Sequence, residues 1–197
     1  MNKTNNISIL VLAVLTVLPF SSICSQEKEH AVKLQYQITL RGRAFEKNES
    51  NEKNALKIET CQFYLSNFVL LKNDTEVWRE ANSHHLLIEE YNESLAIPLY
   101  CPDNVDFDAI QFLLGIDSIT NVSGAYGGDL DPTKGMYWAW NSGYINFKLE
   151  GKDTRCPTRN NQFQFHLGGY LPPFSAAQEI RLNVKKSKKI DILVELS

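Results

Sequence analysis

Residues 57–72 read KIETCQFYLSNFVLLK, and this run decides the fold class. It is dense in strand formers, and Ser66-Asn67 in its middle predicts a bulge or a break into two strands. Working outward, residues 32–40, VKLQYQITL, alternate apolar and polar as a half-buried strand does. Residues 109–116, AIQFLLGI, read as a core strand. Residues 144–150, YINFKLE, and 162–167, QFQFHL, alternate again. Further strands are predicted around HHLLIEE at 84–90, at 95–100, at 178–184 and at 190–196. The last two are joined by a turn holding Lys185, Lys186, Lys188 and Lys189. Residues 42–54 are charged and Asn-rich, and predict a long loop. No sustained helical stripe occurs. Many short strands with turn-rich joins predict an all-β chain: an antiparallel β-sandwich, immunoglobulin-like or related, with long loops. Period-two alternation places Phe63, Leu65, Phe112, Leu114, Phe147, Phe163 and Phe165 in its core.

A hydrophobic content of 43% over 197 residues supports one domain with a real core. The net charge of -3 argues against nucleic acid as a partner, and the Lys cluster reads as a solvated turn. The first 25 residues read as a secretory signal. Lys3 supplies a basic start, ISILVLAVLTVL at 7–18 is apolar, Pro19 breaks the run, and Ser21, Ser22 and Ser25 follow. The apolar run is too short to span a bilayer comfortably. Cleavage falls near Cys24 or Ser25, and lipidation of Cys24 is the alternative course. The mature domain is then 26–197, exported to the periplasm or the cell surface. Export makes at least one disulfide among Cys61, Cys101 and Cys156 expected, with no pairing specified.

Residues 127–143, GGDLDPTKGMYWAWNSG, stand apart from the strands. Glycines free the backbone for turns, and Trp138 and Trp140 bring large apolar area, each with an N–H that needs a partner. The segment suits either an aromatic plug at the end of a sandwich or a docking loop. Of the four histidines, His30 falls in a polar leader and reads as solvated. His84 and His85 are adjacent at a strand start. His166 alternates with Phe165 and Leu167, so it points away from their face. Two imidazoles from different strands, His166 with His84 or His85, would suit copper or zinc. Asp117, Asn121, Asp129 and Asp131 flank glycine-rich turns. Such oxygens suit calcium, and they equally suit the backbone hydrogen bonds of turns. GxSxG, HExxH, the P-loop and GxGxxG after a strand are all missing, so the sequence does not read as an enzyme.

FYLSNFVLL, HHLLIEE, IQFLLGIDSITNVSG, GGDLDPTKGMYWAWNSGYINFKLEG and FQFHLGGY, taken in this order, resemble the MbnP-like family. Its members are exported proteins associated with methanobactin-type copper systems. The resemblance runs from about Phe63 to Tyr170. It implies a β-rich exported domain that binds copper through two His and an oxidised Trp. It also implies a di-haem cytochrome c peroxidase-like partner that performs the oxidation. The family's strand histidine falls on His85, with His84 beside it, and the histidine of its FxxHxGG-type segment falls on His166. One departure stands out. Where a copper-binding relative has the modified Trp two residues before a ligand His, this chain has Ser83 before His85 and Asn82 before His84. The remaining Trp candidates are Trp138 and Trp140, with Trp78 more remote. Two functions follow as expectations. One is an exported copper-binding protein. The other is a non-metal interaction module that docks a partner through its Trp-rich loop.

Overall fold

The computed structural model describes residues 29–40, 43–44, 56–81, 83–88 and 95–196. The expected signal segment, 1–25, and the expected lipidation site, Cys24, lie outside these residues. So does most of the Asn-rich stretch at 42–54.

Alternation produces two packed sheets. The smaller is built on β1 (Glu29–Leu40), which pairs with β2 (Arg43–Ala44), β6 (Ala96–Pro102) and β12 (Lys189–Leu196). The larger is built on the 17-residue β3 (Leu56–Lys72). Along β3 lie β4 (Thr75–Arg79), β5 (His84–Ile88), β7 (Ala109–Leu114) and β9 (Gly143–Asp153). Beyond β9 comes β10 (Gln162–Gly168), and beyond β7 comes β11 (Gln178–Asn183). The two-residue β8 (Tyr137–Trp138) folds back on the start of β9. One short helix, α1 (Ser118–Val122), follows β7. The chain is therefore an all-β sandwich, as its periodicity predicts.

The core sits between the sheets. Val32, Leu34, Tyr36 and Ile38 of β1 and Ile97 and Leu99 of β6 are buried against Phe63, Leu65, Leu87 and Phe112 of the larger sheet. The expected irregularity at Ser66-Asn67 is present. The register of β3 against β7 shifts between Ser66 and Val69, and Asn67 adopts a φ of 57°. Asn tolerates that left-handed conformation better than most residues.

Four expectations need correction. Phe165 is 55% exposed, and Phe163, Leu114 and Phe147 are half-buried rather than buried. β10 ends the strand order of the larger sheet, and a smaller sheet cannot cover the whole inner face of a larger one. Phe163 and Phe165 pack on each other instead, with ring centroids 5.5 Å apart. Second, β1 begins at Glu29, so His30 belongs to a strand and not to a leader. Third, β1 and β12 pair in parallel, whereas the other pairs are antiparallel. The Lys cluster is accordingly no hairpin turn. It carries the chain from β11 in one sheet to β12 in the other, and Lys186 Nζ donates to Val105 O on the way. Fourth, no disulfide joins Cys61, Cys101 and Cys156. Cys61 is buried on β3 and Cys101 on β6, strands of different sheets, while Cys156 follows β9 in a turn.

Candidate functional site

The larger sheet has a second covered face. Tyr64 and Leu86 point outward from β3 and β5, and the segment after α1 folds over them. Ile116, Leu130, Met136, Tyr144 and Ile145 complete a separate buried cluster there, with Tyr137 and Trp138 packed against it. The glycine-bounded segment thus covers a sheet face; it does not plug an end of the sandwich. Hydrogen bonds pin it. Tyr64 Oη donates to Asp129 O at 2.9 Å, and Leu86 N donates to Asp129 Oδ2 at 3.0 Å. Tyr144 Oη donates to Leu130 O at 3.1 Å. Tyr137 and Tyr64 both meet Tyr144 edge-on.

The four residues considered for calcium do this structural work. Asp117 caps α1, accepting from Thr120 N and Thr120 Oγ1, each at 2.9 Å. Burial alone would raise its pKa. The Thr120 hydrogen bonds and neighbouring His84 outweigh that and hold it below the ordinary carboxylate value. Asn121, 1% exposed, donates to Ile116 O and Asp117 O and accepts from Tyr144 N. Asp131 accepts from Thr133 N and Oγ1, which hold its pKa down. Asp129 also meets Lys134 Nζ at 2.6 Å. Among the described residues no three His, Cys, Asp or Glu side chains gather as a metal cage.

The three candidate histidines, His84, His85 and His166, are placed by strand register. Directly opposed residues of antiparallel strands project from the same face. His85 opposes Leu65, Phe63 opposes Phe147, and Phe147 opposes Leu167. His85 therefore lies on the inner face, where its ring meets buried Phe68 at 5.7 Å. His84 opposes Ser66, Gln62 opposes Lys148, and Lys148 opposes His166. His84 and His166 therefore lie on the outer face. Gln62 pairs with β5 and with β9, so those strands flank β3. His85 and His166 are then three strand spacings apart, about 14 Å, and on opposite faces. Two imidazoles on one metal need nitrogens within about 4 Å. The expected pairing of His85 with His166 on a single ion is not formed. His84 shares a face with His166 but lies the same three strands away.

Each of these three imidazoles has a carboxylate beside it. His84 Nε2 is 3.2 Å from Thr120 Oγ1 and 3.6 Å from Asp117 Oδ2. His85 Nε2 is 3.2 Å from Glu80 Oε2. His166 Nε2 is 2.7 Å from Glu150 Oε1, which Lys148 Nζ approaches to 3.8 Å. Glu150 and Lys148 were invisible as site residues in the sequence. Only the register of β9 against β10 sets them beside His166.

The Trp pair packs against the end of the strand that carries His166. Trp138 lies over Gly168, two residues beyond His166, so closely that a Cβ there would overlap its ring. Lys148 Nζ donates to Gly135 O at 3.4 Å, tying the same segment to the strand beside His166. The Trp138 and Trp140 rings pack tilted on each other, with centroids 5.4 Å apart and an interplanar angle of 39°. Trp138 is half-buried, while Trp140 is 79% exposed.

Comparison with known proteins agrees with this architecture. A sequence model of the MbnP family matches residues 29–197. Among solved structures, MbnP from Methylosinus trichosporium shares the fold, with a TM-score of 0.53 and 13% identity. The superposition covers 83% of this chain and 76% of that one. No curated protein sequence matches the chain.

Proposed function

The chain belongs to the MbnP family, and from that premise we propose that it is an exported docking module in copper handling that presents Trp138 and Trp140 to a redox protein. The observation that carries this reading is the indole pair. Trp138 is fixed against Gly168, and it holds the open face of Trp140 toward solvent. Buried aromatic anchors dominate protein interfaces, and a preformed one costs little ordering entropy. The partner that the family resemblance implies is a di-haem cytochrome c peroxidase-like protein. An indole at the surface suits such a partner, because oxidation by an outside haem needs a close approach. Export rests on the apolar leader at 7–18.

The test uses the purified full chain and a di-haem peroxidase-like protein from the same genome. Trp140→Ala is expected to weaken their association about thirtyfold, the size of an interface hot spot of about 2 kcal/mol. Unchanged affinity would sink the docking role.

A second reading, in which the chain carries copper itself, is favoured by one observation. His166 and Glu150 stand 2.7 Å apart on the outer face, on neighbouring strands, and Gly168 at the end of the His166 strand packs against Trp138. Copper titration separates the histidines. On this reading His166→Ala loses binding and His85→Ala keeps it, because His85 is on the other face. Equal loss in both variants would restore a shared site. Full affinity in His166→Ala would remove the copper reading at this position.

A further inference from the structure

β10 ends the strand order of the larger sheet and, among the described strands, pairs only with β9. Its other side presents a row of backbone N–H and C=O groups that no described strand meets. Such an edge invites pairing with another chain, and proteins blunt it with charges, Pro or bulges. This chain does so elsewhere. β11, at the other end of the same sheet, carries Glu179 and Arg181. β12, at the end of the smaller sheet, carries Lys189, Asp191 and Glu195. β10 reads QFQFHLG, without Lys, Arg, Asp, Glu or Pro, and its register shifts only at its last step, between Leu167 and Gly168.

The edge is also apolar. Phe165 and Leu167 are 55% and 52% exposed, and the loop after β10 adds Leu171 at 59% and Phe174 at 82%. That loop closes at the foot of the strand, where Phe174 N donates to Leu171 O and Ala176 N to Gly169 O. The four side chains leave roughly 500 Å² open in one copy, given the usual size of such groups. A free backbone edge is satisfied by a β-strand, which fixes the class of occupant. Residues 46–54, EKNESNEKN, hold no apolar residue and do not match this surface. A second β10 does. The strand Gln162–Gly168 is centred on Phe165, so two copies related by a two-fold axis there overlap along their whole length. Phe163 then opposes the partner's Leu167 on one face, and Gln164 opposes the partner's His166 on the other. Two copies together bring about 1,000 Å² of apolar surface, the lower bound for a specific interface.

We propose that β10 is a self-association edge: a second copy of this chain adds its own β10 antiparallel to it, across a two-fold axis at Phe165, and the larger sheets of the two copies become one. The contact is isologous, the same patch meeting itself, so it closes at a dimer and does not propagate. Its modest area makes the dimer weak, with a micromolar dissociation constant.

Sedimentation of the full chain over a range of concentrations up to about 200 μM tests this, and a monomer–dimer equilibrium is expected. Phe165→Lys sets a charge on the edge and should weaken association at least tenfold, with circular dichroism and Tm unchanged because the position is already open. Leu193→Lys, on β12 and 64% exposed, should leave association as it is. Cross-linking tests the register. Cys residues at 165 would face each other across the axis with Cα atoms about 5 Å apart, within disulfide reach. At 167 they would stand four residues apart along the strands, about 14 Å. With Cys156→Ser as background, Phe165→Cys should give a disulfide-linked dimer under mild oxidation and Leu167→Cys should not. A wild type that stays monomeric at about 200 μM would overturn the proposal. A dimer that survives Phe165→Lys would overturn the role of this edge, and equal cross-linking at 165 and 167 would overturn the axis at Phe165.

Discussion

The indole of Trp138 occupies the space that a side chain on Gly168 would need. A Cβ added there would overlap Cζ3 and come within 2.8 Å of Cη2, and it would lie 3.0 Å from Tyr144 O. Gly168 is thus the seat on which the Trp pair rests. Gly168→Ala is expected to unseat Trp138 and cost about 1–3 kcal/mol, as overpacking typically does. Thermal unfolding and Trp fluorescence check this. An unshifted emission maximum with wild-type stability would show that the contact is not tight.

Asn121 reads in the sequence as an ion ligand and acts in the structure as a buried splice. It joins the end of β7, the start of α1 and the start of β9. Asn121→Ala leaves Tyr144 N and Ile116 O without their side-chain partner, a loss of about 3 kcal/mol. Calcium should neither raise the wild-type melting temperature nor rescue the variant. A calcium-dependent rise in Tm would return an ion to this loop.

Asp117 couples the stability of the outer face to pH. Its pKa in the folded chain lies below the ordinary carboxylate value, so the unfolded chain takes up this proton first. The contribution is complete above about pH 4 and is lost as pH falls through the lower folded value. Asp117→Ala removes the cap of α1 and should cost about 1 kcal/mol at pH 7. The gap between wild type and variant should narrow below about pH 4. A gap that stays constant down to pH 2 would show that the carboxylate charge contributes nothing.

Cys101 is 3% exposed, and burial raises its thiol pKa. Thiolate is the reactive form, so native Cys101 should resist iodoacetamide. Cys156, half-buried in its turn, should be alkylated first. With no bridge among Cys61, Cys101 and Cys156, dithiothreitol should leave the melting temperature unchanged. Mass spectrometry of the timed reaction decides the order of labelling.

The strands themselves were legible because alternation is local. VKLQYQITL gave β1 its buried face of Val32, Leu34, Tyr36 and Ile38, and Ser66-Asn67 announced the bulge of β3. β4 was missed: TEVWR is short, and only its turn at Asn73-Asp74 returns it to β3. Phe165 was misplaced for a different reason. Alternation assigns a residue to a face but does not say whether another layer covers that face.

The sequence by itself determined the two-sheet β architecture, the family and the distinctness of the Trp segment, because each rests on neighbours along the chain. Only the tertiary structure decided which chemistry those residues can share. A shift of one residue moves a side chain to the other face of a sheet, so His84 and His85, adjacent in sequence, serve opposite faces. Strand order then sets His85 and His166 three strands apart. It also seats Trp138 on Gly168 and pairs His166 with Glu150. These relationships are set by long-range pairing, which local periodicity does not encode.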